Sequence, residues 1–198
     1  MPYPVGTLQS FTTILGTFDQ TFIQAFTQIN EMLPSQMQYF TSTQIGEFLY
    51  TQISSLQASE LSAFSSTDVG ALTATQISEF TTTQLNGLGT TSLPLLSSTQ
   101  LETLAATQVN GLTAANLASL TSTEVGELTA TQVPALTTTT LNGLGTTNIA
   151  QLSATQIGEL SASQISGLTA TNLAALTSTE VQALTATQVP ALTTTVLN

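Results

Sequence analysis

TATNLAAL TSTEVQAL TATQVPAL, residues 169–192, reads as three consecutive copies of one eight-residue unit. Numbered from its first residue, the unit runs Thr/Ser, small, Thr, Gln/Glu/Asn, aliphatic, small, small, Leu. Stepping back by eight holds the register without insertion to Thr41, and more loosely to Ala25. From Thr41 onward, position 5 is Ile, Leu or Val in every unit, from Ile45 to Leu197. Position 8 is Leu or Phe in every completed unit, from Phe48 to Leu192, and position 3 is Thr or Ser except at Ala115. A fixed internal period sets the fold class before any local propensity does. The chain is a repeat protein.

The octad excludes two simple shapes. Eight residues of continuous α-helix leave a drift of about 80° per unit, so positions 5 and 8 would spiral around the helix instead of forming one face. In a continuous strand, positions three apart point to opposite faces. The chain must therefore bend once per octad, which makes it a solenoid of very short elements. Two aliphatic side chains do not offset the conformational entropy of ordering eight residues, so stability belongs to the array and not to the octad.

Two kinds of element fit. Thr or Ser at position 1 with Gln or Glu at position 4, just before an aliphatic residue, is the capping-box signature of a helix start. It occurs at Thr41/Gln44, Thr73/Gln76, Thr121/Glu124, Ser153/Gln156 and Thr185/Gln188, among others. Positions 5 and 8 then meet as an i, i+3 pair. The expected fold is thus all-α: short capped helices wound into a superhelix. The alternative is a β-solenoid, favoured by the threonines and β-branched position 5 residues. The turn-forming dipeptides Asn86-Gly87, Asn110-Gly111 and Asn142-Gly143 point the same way. Pro94, Pro134 and Pro190 fall at position 6. That is a poor place in a helix capped at position 1, and a tolerated one if the cap lies at position 3. In either case positions 5 and 8 should be buried and positions 2 and 7 largely exposed.

A longer period overlies the octads. TTTQLNGL at 81–88 returns as TTTTLNGL at 137–144, and TATQVPAL at 129–136 returns unchanged at 185–192, a shift of 56 residues or seven octads. The domain reading is therefore an apolar capping or assembly segment at 1–24 and an octad solenoid at 25–198. The solenoid divides into super-repeats 25–80, 81–136 and 137–192, with an incomplete fourth from Thr193. Residues 1–24 are a different text. Phe11, Ile14, Leu15, Phe18, Phe22, Ile23 and Phe26 recur mostly at three- and four-residue spacings, the pattern of an amphipathic helix. Such a segment either caps the first coil or docks on another subunit.

Composition narrows the function. Across 198 residues there is no Lys, Arg, His or Cys, and the net charge is −11. Nucleic-acid binding relies on cations that neutralise phosphate, and none is present. Attachment to anionic lipid by a basic patch fails for the same reason. Membrane insertion is not expected, because hydroxyl and amide side chains interrupt every apolar run short of the roughly 18–20 residues needed. A Ser or Thr nucleophile would lack its usual base, so no enzyme is read here and no catalytic residue is assigned. Glu124 and Glu127, at i, i+3, read as solvated surface. The acids are spread mostly singly, without the converging oxygens that calcium takes, so neither metal nor cofactor is expected. No Asn-x-Ser/Thr sequon occurs.

The octads TATQIGEL and TATQVPAL resemble the Thr/Gln-rich repeats, of form LTxxQ[IV]xxL, of long bacterial secreted or surface proteins of the adhesin kind. The resemblance covers about residues 41–198 and carries no catalytic or binding residue. It implies a stalk or filament outside the cell. The expected function is a structural subunit of an extracellular filament, sheath or fibre. Its partner is another copy of itself, joined head to tail, with other matrix or surface components as further partners. The alternatives are a cell-surface adhesin stalk and a Thr-rich ice-binding module. The expected contact sets Phe11, Ile14, Leu15, Phe18, Phe22, Ile23 and Phe26 of one copy, within residues 1–32, against Val189, Leu192 and Leu197 of the next, within about 185–198. A heterologous contact of that kind propagates into open filaments.

Overall fold

A computed structural model describes residues 33–192. Seventeen short α-helices and three 3-10 turns follow one another, and no strand occurs among the described residues. The described residues are all-helical, each unit in a solenoid-like arrangement, and the β-solenoid alternative is disfavoured. Two compact units divide between Leu95 and Leu96.

The helix starts are written by the capping boxes. At Ser153 the backbone N–H donates to Gln156 Oε1 at 2.7 Å, while the Gln156 N–H donates to Ser153 Oγ at 3.2 Å. Thr41/Gln44, Thr73/Gln76, Thr121/Glu124 and Thr185/Gln188 close the same pair of bonds. Two of the amides left open at a helix start are thereby satisfied in each octad that carries the pair. This explains how helices of five or six residues persist, as in Ser42–Gly46 and Ser66–Ala71. Helix Thr82–Ser92 is two such elements run together across Gly89, whose φ of 69° and ψ of 179° are not helical.

Proline shortens three octads, and in two of them the cap stays in place. Thr129 Oγ1 still accepts from the Gln132 N–H at 3.2 Å, and Thr185 Oγ1 from that of Gln188 at 3.3 Å. Proline at position 6 lacks the N–H that would bond back to position 2, so the α-turn cannot close. What remains is the 3-10 turn Val133–Ala135 or Val189–Ala191, and likewise Leu93–Leu95.

The core follows the octad. Position 5 is buried from Met37 to Ile165 and position 8 from Phe40 to Leu176. In the first unit, aromatic position 8 residues pack edge to face, the Phe40 and Phe48 ring centroids lying 5.2 Å apart. Helices pack three octads apart: Ser42–Gly46 on Ser66–Ala71 and Ala58–Leu61 on Thr82–Ser92. In the second unit, Ala114–Ser119 packs on Thr138–Gly143 and Ala154–Glu159 on Ser178–Gln182.

Two expectations are corrected here. Positions 2 and 7 are half-buried in many octads, and the row exposed throughout is position 3. The cause is a close approach between position 7 of one octad and position 2 of the octad three earlier. A Cβ on Gly87 would lie 2.6 Å from Ala58 Cα, and one on Gly167 would lie 2.5 Å from Thr138 Cγ2. The same contact reassigns the Asn-Gly pairs: Asn86-Gly87 and Asn142-Gly143 lie within helices, not turns. Glycine is there because a neighbouring helix leaves no room for a side chain.

Candidate assembly surface

Position 4 carries more than the cap. Its side chain is buried in every octad from Gln44 to Gln188. While the amide oxygen caps its own helix, the amide nitrogen reaches an earlier part of the coil. Gln132 Nε2 donates to the Leu104 carbonyl at 2.7 Å and to that of Leu101 at 2.9 Å, offsets of 28 and 31 residues. Gln188 does the same to Leu160 and Ile157 at 2.6 and 2.8 Å, and in the first unit Gln84 does so to Leu56 and Ile53 at 2.9 and 2.7 Å. Asn148 reaches the Leu120 carbonyl at 2.8 Å. The Leu104, Leu160 and Leu56 carbonyls follow helix ends, where intrahelical donors run out, whereas those of Leu101, Ile157 and Ile53 also accept from the N–H three residues on. One side chain thus satisfies both the start of its own helix and the end of another.

Asparagine at position 6 adds a second cross-link. Asn110 Nδ2 donates to the Ala135 carbonyl at 3.0 Å, and its Oδ1 accepts from the Thr137 N–H at 2.9 Å. Asn142 repeats this with Gly167 and Thr169, at 2.9 Å each.

Glu124 is not solvated surface. It is 4% exposed, because position 4 faces inward. Its Oε2 accepts from the Thr121 N–H at 2.6 Å. Its Oε1 is buried without a hydrogen bond. Burial pushes its carboxyl above the ordinary range, against hydrogen bonds from Thr121 that pull it down, and the charge of Glu127 adds to the rise.

The apolar cover fails toward one end of the described residues. Ile149, Ile157 and Ile165 are fully buried, yet in the same register Val181 is 50% and Val189 52% exposed. Leu173, Leu184 and Leu192 are half-buried. Of the expected contact residues, Val189 is half-exposed and Leu192 half-buried. Phe11, Ile14, Leu15, Phe18, Phe22, Ile23, Phe26 and Leu197 lie outside the described residues. Sequence reading missed Val181, which the register marks as clearly as Val189.

Position 3 is exposed in every described octad and is Thr or Ser except at Ala115, and in the first unit an open cleft is lined by Glu47, Leu49, Tyr50, Thr73 and Glu79. Among the described residues no group of three or more His, Cys, Asp or Glu could hold a metal ion. No described helix is long and apolar enough to cross a membrane. No family model, no curated protein and no solved structure matches the chain.

Proposed function

We propose that this chain is a structural subunit of an extracellular filament, sheath or fibre, built by continuing one helical coil from copy to copy. The observation that carries the reading is the burial of position 5 throughout the body of each unit by the stacking of like octads on one another. What covers position 5 in the body of each unit is a segment of the same pattern, three octads further on. A second copy offers that pattern.

Within each unit we read the coil as a superhelix of about three and a half octads per turn, since the inter-turn amide bond spans 28 residues. The longer period then has a geometric meaning. Fifty-six residues are two turns, the shortest stretch in which whole octads return to the same angular position. A surface repeating on that period presents like residues along one face, which suits regular assembly. The extracellular setting rests on the resemblance of the Thr/Gln octads to bacterial surface repeats.

Sedimentation velocity across a concentration series tests the proposal, with Val181→Asp/Val189→Asp as the variant. Both positions are already half in water, so the fold survives the charges while an apolar junction does not. The intact chain should sediment as concentration-dependent oligomers and the variant as a folded monomer. A parent that stays monomeric at high concentration favours a stalk and overturns the filament. So does a variant that assembles like the parent.

A further inference from the structure

Glutamine and asparagine dominate position 4, although a capping box needs only an acceptor there, which glutamate supplies equally well. The preference follows from the amide nitrogen, which donates to the carbonyl 28 residues earlier: Gln156 to Leu128 at 2.7 Å, Gln164 to Leu136 at 2.7 Å. Where an acid replaces the amide, that donor is lost. Asp68 is compensated, since Ser42 Oγ donates to its Oδ1 at 3.0 Å, and Ser65 supplies its N–H and Oγ to Oδ2 at 2.9 and 2.7 Å. Glu124 is not compensated. Its Oε2 takes the cap, and its Oε1, which stands where the amide nitrogen stands in Gln156, is buried and unbonded. In the common register the group 28 residues earlier is the Leu96 carbonyl, in the same unit. Two acceptor oxygens cannot bond to each other. A carboxylic acid can donate to a carbonyl.

We propose that Glu124 is a proton-operated fastener of the coil. With a proton from solvent on Oε1, it donates to the Leu96 carbonyl as glutamine does elsewhere. Ionised, it leaves a buried charge beside an unpaired carbonyl, and this turn loosens.

No cation opposes that switch, because the chain has no Lys, Arg or His. On its own octad the like charge acting on Glu124 is that of Glu127. The neighbouring segments Ala114–Ser119, Val133–Ala135 and Gly145–Ile149 carry no titratable side chain, and Ser98–Glu102 brings one acid, Glu102. The direction of the effect follows. The folded-state carboxyl titrates above its ordinary value. Its contribution to stability is therefore complete below the ordinary carboxyl value and is lost as pH rises through the folded-state value.

Glu124→Gln in the intact chain tests this with the residue that other octads already use, so misfolding is not expected. At neutral pH the variant should melt about 2–4 °C above the parent. At a pH below the ordinary carboxyl value the two should coincide. A difference independent of pH, or a variant less stable at neutral pH, overturns the proposal. Carbon-13 NMR of the Glu124 carboxyl, assigned by its loss in the variant, should titrate above ordinary glutamate. A midpoint at or below that value also overturns it. Millimolar calcium at neutral pH should leave the parent's melting unchanged. Calcium stabilisation of the parent that is absent in Glu124→Gln would assign the oxygen to a metal and refute the proton.

Discussion

Gln132→Met removes one side chain's worth of wiring at nearly constant volume. Gln132 is 3% exposed. Its Oε1 accepts from the Thr129 N–H at 2.8 Å, and its Nε2 donates to the Leu104 and Leu101 carbonyls at 2.7 and 2.9 Å. Methionine keeps the shape and leaves three backbone groups without this partner. Leaving a buried group unsatisfied costs about 1–3 kcal/mol, while burying the thioether in place of the amide returns on the order of 1 kcal/mol. The Leu101 carbonyl keeps the Leu104 N–H at 3.1 Å, so two groups lose their partner and the net loss is about 1–5 kcal/mol, or roughly 2–20 °C in Tm for a chain of this size. Thermal melting followed by far-ultraviolet circular dichroism reads it. Amide exchange should locate it, with protection falling at Thr129. Thr131→Ala, on the exposed position 3 row, is the control and should stay within about 0.5 kcal/mol of the parent. Should Gln132→Met melt within about 1 °C of the parent, the amide ladder contributes nothing to stability and its reading is wrong.

Three glycines should respond to alanine for three different reasons, each read by the same melting curve. Gly70 is helical with nothing within 4 Å of an added Cβ, so Gly70→Ala should stabilise by about 0.5–1 kcal/mol. Gly89 has equal space but a φ of 69°, and Gly89→Ala should destabilise by about 1–3 kcal/mol from backbone strain alone. Gly87→Ala should also destabilise, by about 1–3 kcal/mol, although its backbone is helical, because the new Cβ meets Ala58 Cα at 2.6 Å. A stabilising Gly89→Ala would contradict the strain, a stabilising Gly87→Ala the close approach, and a destabilising Gly70→Ala the open space beside that glycine.

Much of this was legible in the octad because its information is local. Thr-x-x-Gln before an aliphatic residue gave the helix starts, and the pairing of positions 5 and 8 gave the core. The misread features depend on contacts across the coil. Asn142-Gly143 looks like a turn in isolation. Its glycine is explained by Leu117, whose Cδ1 would lie 2.8 Å from an added Cβ, and its asparagine by Gly167 and Thr169. The second bond of the position 4 amide is also long-range and was missed. Its trace was nonetheless present: Asn116, Asn148 and Asn172 stand at position 4 where Glu would cap as well. An excess of amides over acids at a capping position signals a buried acceptor elsewhere. Glu124 breaks that preference: its charge argues for surface, while its register places it inward, and register decides.

Cryo-electron microscopy of the particles formed by the intact chain at high concentration tests the central claim most directly. The account predicts filaments in which Leu173, Val181 and Val189 of one copy are covered by octads of the next, at the same three-octad step that covers Ile149 within a copy. Single dispersed particles, or filaments in which Val181 and Val189 still face solvent, would contradict it.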